Sequence, residues 1–189
     1  MTLLILGLAL WSAVHLIPSL GAPFKAVMVA RLGNAAWRGL FSLLIVLSIV
    51  LMVLGWRSAL PVAIYAPPAP RLLAVGTMLV ALVLFFSGRL PTDIKRWLRH
   101  PQLTGVILWA LAHLAVNGDQ RSLVLFGGLG LWAFVEIVAI NRRDGARVRP
   151  APVGLLRSSV PLVIGVVAWV LLARFHPWLS GVAIMPGGQ

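Results

Sequence analysis

The groups in this chain that could do chemistry inside an apolar setting are few: His15, His100, His113, His176 and one carboxylate, Glu136. His15 lies near the end of the first apolar run. His100 precedes Pro101 at the mouth of another, and His113 sits inside that same run before it closes at Asn117-Gly118-Asp119. A polar ring deep in such a segment is a candidate functional group by default. Two neutral imidazoles from different helices can fill both axial positions of a haem iron, with nitrogens about 4 Å apart across the metal. The chain has no cysteine, so it has no thiolate ligand, no Cys nucleophile and no CxxCH attachment; a haem here would be a non-covalent haem b. The acidic groups are scattered, which disfavours a structural zinc site. The other reading is that each histidine bonds a backbone carbonyl or a headgroup and is satisfied structurally.

Glu136 is the one carboxylate well inside an apolar run. A carboxylate there is costly unless paired or protonated. Its candidate partners are His15, Arg38, Arg99 and Arg142. It either orients a ligating imidazole through the ring's other nitrogen or forms a structural ion pair at the membrane edge. Asn117, Asp119 and Arg121 make a polar cluster that lines a small-molecule entrance or forms a solvated turn. Trp11 and His15, Trp109 and His113, and Trp132 and Glu136 are each four apart, on one helical face. Three helices thus present an indole beside an ionisable group, as an apolar cavity with polar anchors would, or as core packing would.

The elements that must position these groups are membrane helices. Of the 189 residues, 60% are hydrophobic and 11% charged, and the apolar runs are about 16–20 residues long, enough to cross a hydrocarbon layer. A soluble domain of this size would need far more charged surface. The expected fold is all-α: one polytopic bundle over 1–189 with about six spans, near 2–17, 37–56, 71–88, 101–116, 122–140 and a sixth from 153 or 158 to 173. The first run has no basic leader or cleavage site and reads as a retained helix. Residues 24–36 carry Lys25 and Arg31 among apolar side chains, as an interfacial segment does. The segment 57–70 holds Pro61, Pro67, Pro68 and Pro70 and reads as a rigid loop. The tail from Arg174 reads as folded against the interface, anchored by Trp178; Trp37, Trp56 and Trp97 are expected as interface anchors too.

The net charge of +12 falls in short loops, which reads as topology and not as a nucleic-acid surface. Twelve Lys and Arg residues lie in or beside the loops after the first, third and fifth spans; Arg57, Arg71, Arg121 and Arg174 lie on the other side. The odd loops are expected in the cytoplasm and both termini outside or in the periplasm. Depth along the helices then ranks the histidine pairs. His15 lies roughly 5–8 Å inside the cytoplasmic end, near the level of His100, while His113 is about 20 Å further out. His15 with His100 comes first, His15 with His113 second if the first helix tilts, and an outer pair of His113 with His176 third. No paired carboxylates, catalytic triad, phosphate-cradling glycine loop or HExxH occurs, so hydrolase and kinase chemistry has no residues to use.

Four stretches carry a resemblance: AVHLIPSL around His15, LGNAAWRGLFSLL at 32–44, GRLPTDIKRWLRHPQLTGVILWALAHLAVNGD at 88–119, and SLVLFGGLGLWAFVE at 122–136. With them the chain resembles the NnrU family of bacterial inner-membrane proteins. The family is associated with nitrite and nitric oxide reduction and is similar to the 15-cis-zeta-carotene isomerase, a haem b membrane enzyme. The resemblance implies a haem held at His15 and at the His100–His113 stretch, with depth favouring His100 of that stretch. It also implies a small apolar or nitrogen-oxide ligand and contact with membrane lipids. The competing function is a non-catalytic membrane assembly factor; transport lacks a clear inverted repeat.

Overall fold

The computed structural model describes residues 1–181 and 184, and the regular elements among them are helical. In chain order they are α1 (Thr2–Leu20), α2 (Ala22–Leu32), α3 (Asn34–Ser58), α4 (Arg71–Ser87), α5 (Ile94–Trp97), α6 (Pro101–Leu114), α7 (Gln120–Asp144) and α8 (Leu155–Ser180). Four of them, α1, α3, α7 and α8, are long and apolar enough to cross a membrane. The protein is therefore an all-α, multi-pass membrane protein. The other two apolar runs also fold as helices, but α4 has 17 residues and α6 has 14. At 1.5 Å per residue these reach about 25 and 21 Å, short of a hydrocarbon core of about 30 Å. Large apolar side chains such as Leu43, Leu72, Leu131 and Leu155 are more than half exposed, as a surface facing lipid requires.

Two helices run further than their prolines led us to expect. α1 continues through Pro18 to Leu20, and α8 through Pro177 to Ser180. Each proline costs its helix one backbone donor, and both helices continue past it; Ser180 Oγ donates to the His176 carbonyl at 2.9 Å in the turn after Pro177. α8 ends at Gly181, whose φ of 74° is the left-handed conformation common after a helix. His176 and Trp178 are thus helical residues and not part of a folded-back tail; residues 182, 183 and 185–189 of that tail lie outside the described residues.

The chain divides into two compact units. The first joins Met1–Tyr65 to Asp119–Ala146. Its central helix is α1, which packs on both α3 and α7. The approach is close enough that a Cβ at Gly7 would stand 2.7 Å from the Met52 nitrogen, and one at Gly55 2.6 Å from the Leu4 Cα. Leu4, Val14 and Ala133 are buried at these seams. Lipid offers no hydrophobic gain for joining helices, so small residues that let backbones meet supply the packing. α2 buries none of its side chains, and Trp37, at the start of α3, is 6% exposed against Phe24 and Phe41. Trp37 is therefore a packed residue, unlike Trp97 and Trp178, which are exposed.

The second unit joins Ala66–Gly118 to the chain from Arg147 on. Here α4 is central, packing on α6 and α8. The device is the same: a Cβ at Gly105 would lie 2.6 Å from the Ala81 carbonyl oxygen, and one at Gly165 2.8 Å from the Val83 Cα. The polar loops at one end are stapled together. Asp93 accepts from the Val153 N–H at 2.9 Å and donates its own N–H to Ser158 Oγ at 3.0 Å. Arg147 donates to the carbonyls of Trp97, at 3.1 Å, and Lys95.

Candidate functional site

In the first unit the site is built around His15. Its Nδ1 lies 3.1 Å from the carbonyl oxygen of Trp11, one turn back on α1. A carbonyl oxygen only accepts, so Nδ1 carries the proton and the lone pair of the neutral ring is on Nε2. Three aromatic rings surround the imidazole: Trp11 at 4.1 Å between centroids, Trp132 from α7 at 5.0 Å and Phe41 from α3 at 5.8 Å. Trp11 and Trp132 also meet edge to face at 5.4 Å. Both indole nitrogens are buried with no hydrogen-bond partner among the described residues. Residues 123–127, at the start of α7, form a π turn, an irregularity frequent at functional sites.

Glu136 is 8% exposed, one turn beyond Trp132, and accepts a hydrogen bond from Ser19 Oγ at 2.9 Å. Ser19 was missed in the sequence although it stands four residues after His15, on the same face of α1. Arg143 donates to the Pro18 carbonyl at 2.9 Å and pairs with Asp144 at 2.7 Å. The Glu136 and Arg143 contacts both hold the last turn of α1 to α7. Asp119 and Arg121 serve the helix ends of this same unit. Asp119 accepts from the Ser122 N–H at 3.0 Å and caps α7, while the Arg121 guanidinium lies 4.4 Å from the Trp56 ring and 3.5 Å from the Trp56 and Ala59 carbonyls at the end of α3. A cation at a helix C-terminus complements the dipole there.

The second unit holds the other three histidines. His100 is the N-cap of α6, and its carbonyl accepts from Thr104 N–H and Oγ–H, each at 3.0 Å. His113, at the other end of α6, repeats the arrangement of His15: its Nδ1 donates to the carbonyl of Trp109, one turn back, at 2.8 Å. Asn117 Nδ2 donates to the His113 carbonyl at 2.9 Å and closes the helix. The His176 ring of α8 faces that of His113, nearly parallel, at 6.5 Å between centroids. Both line a pocket of about 120 Å³ with Arg71, Asn117, Met78 and Trp169. Of the pairs ranked by depth, His113 and His176 belong to one unit, whereas His15 belongs to the first and His100 and His113 to the second. Among the described residues no group of three or more His, Cys, Asp or Glu is placed to hold a metal ion.

The description "NnrU protein" fits the sequence over residues 3–184. The chain belongs to the NnrU family. No curated protein and no solved structure matches it. The NnrU match runs through both units and includes His15, His100, His113, Glu136 and His176.

Proposed function

We propose that this NnrU-family membrane protein holds a non-covalent b-type haem through its histidines, His15 in the first unit being prepared to ligate iron and His113 being set in the same way within the second. The observation that carries this reading is the repeated Trp-x-x-x-His arrangement, in which the Nδ1–H of each ring is tied to the tryptophan carbonyl one turn back. Ligating histidines almost always donate their other nitrogen to a carbonyl or carboxylate, which fixes tautomer and orientation. The donor set fits the group: neutral imidazoles, no cysteine, and aromatic walls at His15 whose buried indole N–H groups are left without an acceptor. A haem would supply a redox-active iron. The chain's own residues fix which nitrogen of each ring carries the proton and limit water around His15 through Trp11, Trp132 and Phe41. Glu136 and Ser19 hold α1 to α7 and thereby hold His15 in place.

The role we assign is in nitrite and nitric oxide metabolism at the bacterial inner membrane; a carotene-isomerase-like cis/trans isomerisation is the alternative chemistry of the same group. We further propose six spans, with α4 and α6 the short ones, both termini periplasmic and α2 at the interface. Acid–acetone extraction of the purified protein tests the haem directly. Haem released into the organic layer in stoichiometric amount is expected. A folded protein that yields none, even after haem is supplied during expression, would leave the non-catalytic assembly role.

A further inference from the structure

The pocket of the second unit carries a charge that no described carboxylate of that unit pairs. Arg71, the first residue of α4, lines it together with Asn117, His113 and His176, and the rest of the wall is largely apolar, including Met78, Leu82 and Leu172. The first turn of α4 has no acidic residue and no side-chain cap, so the guanidinium adds to the positive end of the helix dipole. Among the described residues of this unit the one side-chain carboxylate is Asp93. Asp93 follows the opposite end of α4, about 25 Å along the helix axis, and is engaged by the Val153 N–H. Arg71 thus stands at the mouth of a pocket with a largely apolar interior, with no described side-chain carboxylate of its own unit beside it.

We infer that this pocket binds the oxyanion head of an acyl lipid, with Arg71 pairing the oxyanion and Met78, Leu82 and Leu172 receiving the first carbons of its chain. A free fatty carboxylate and the phosphate of an anionic phospholipid share this chemistry. About 120 Å³ is the room of roughly four waters, which accommodates a head group and leaves the remaining chain along the lipid-facing helices. Asn117 and His176 add polar groups to the lining. The inference does not rest on the haem reading, since it uses a guanidinium and an apolar wall and needs no iron.

The test uses the full-length protein in phosphatidylcholine nanodiscs, with doxyl-labelled stearic acid and its methyl ester as probes read by electron spin resonance. A saturable immobilised signal is expected for the acid and not for the ester. Arg71→Gln, at an exposed position, is expected to weaken the acid about tenfold or more, the loss of one charge-assisted hydrogen bond, and Ala173→Phe is expected to abolish the signal by filling the pocket. Competition by added phosphatidylglycerol would identify a phospholipid as the occupant, and absence of competition a free carboxylate. Equal immobilisation of acid and ester, or an unchanged signal in Arg71→Gln, would overturn the inference. The Soret band of the same sample separates the two readings: no acid bound by a protein with a normal haem spectrum overturns this site alone, whereas acid bound by a protein without that band supports it and counts against the haem.

Discussion

His15 and His113 are set by the same short-range device. Each ring gives its Nδ1–H to the carbonyl of a tryptophan four residues back, which leaves the other nitrogen as the base of the neutral ring. The four-residue spacing was legible in the sequence, and so was the presence of an indole beside each ring; the hydrogen bond to the tryptophan backbone was not, because any residue type supplies a carbonyl. Glu136 shares the spacing with Trp132 but is held by Ser19, 117 residues away in sequence, a separation that no local pattern reports. Ser19→Ala should therefore cost about 1–3 kcal/mol by removing a donor from a buried carboxyl group. Thermal unfolding in detergent would show it as a lowered midpoint, with the haem spectrum of the folded protein retained if Glu136 acts on the helix seam and not on the ligand.

Helix seams in both units depend on glycines that face backbone. In α3, Gly55 touches the backbone of Leu4, whereas Gly39 has nothing within 4 Å of the Cβ it lacks. Gly55→Ala is expected to destabilise by about 1–3 kcal/mol through overpacking, and Gly39→Ala to be neutral or slightly stabilising through helix propensity. Equal effects of the two, measured by thermal unfolding, would remove close approach as the reason for Gly55. The six apolar runs that became these helices were readable from length and composition. The ends were not: Pro18 and Pro177 read as terminators, yet a proline costs a helix only one backbone donor, and both helices continue past it. Which glycines face a neighbour was also hidden, since a lone glycine in an apolar run looks the same on either face.

Across the whole chain, charge and hydrophobicity agree on a membrane protein. Sixteen Lys and Arg stand against four acids, and twelve of the sixteen fall in or beside the loops proposed to be cytoplasmic. The absence of cysteine makes the proposed orientation simple to test with single introduced thiols. Leu60→Cys, at a residue 77% exposed after α3, should react with an impermeant maleimide in intact spheroplasts, and Ala146→Cys only after the membrane is breached. The reverse pattern would invert the topology, and labelling of both in intact cells would contradict the six-span count.

The measurement that bears most directly on the haem reading is the absorption spectrum of the purified protein, air-oxidised and dithionite-reduced, beside the single variants His15→Ala, His113→Ala and His100→Ala. A b-type Soret band in the parent and in His100→Ala, lost or strongly weakened in His15→Ala, in His113→Ala or in each, is the expected result. A well-folded parent without a Soret band after haem is supplied would contradict it, as would a band that survives in His113→Ala and disappears in His100→Ala.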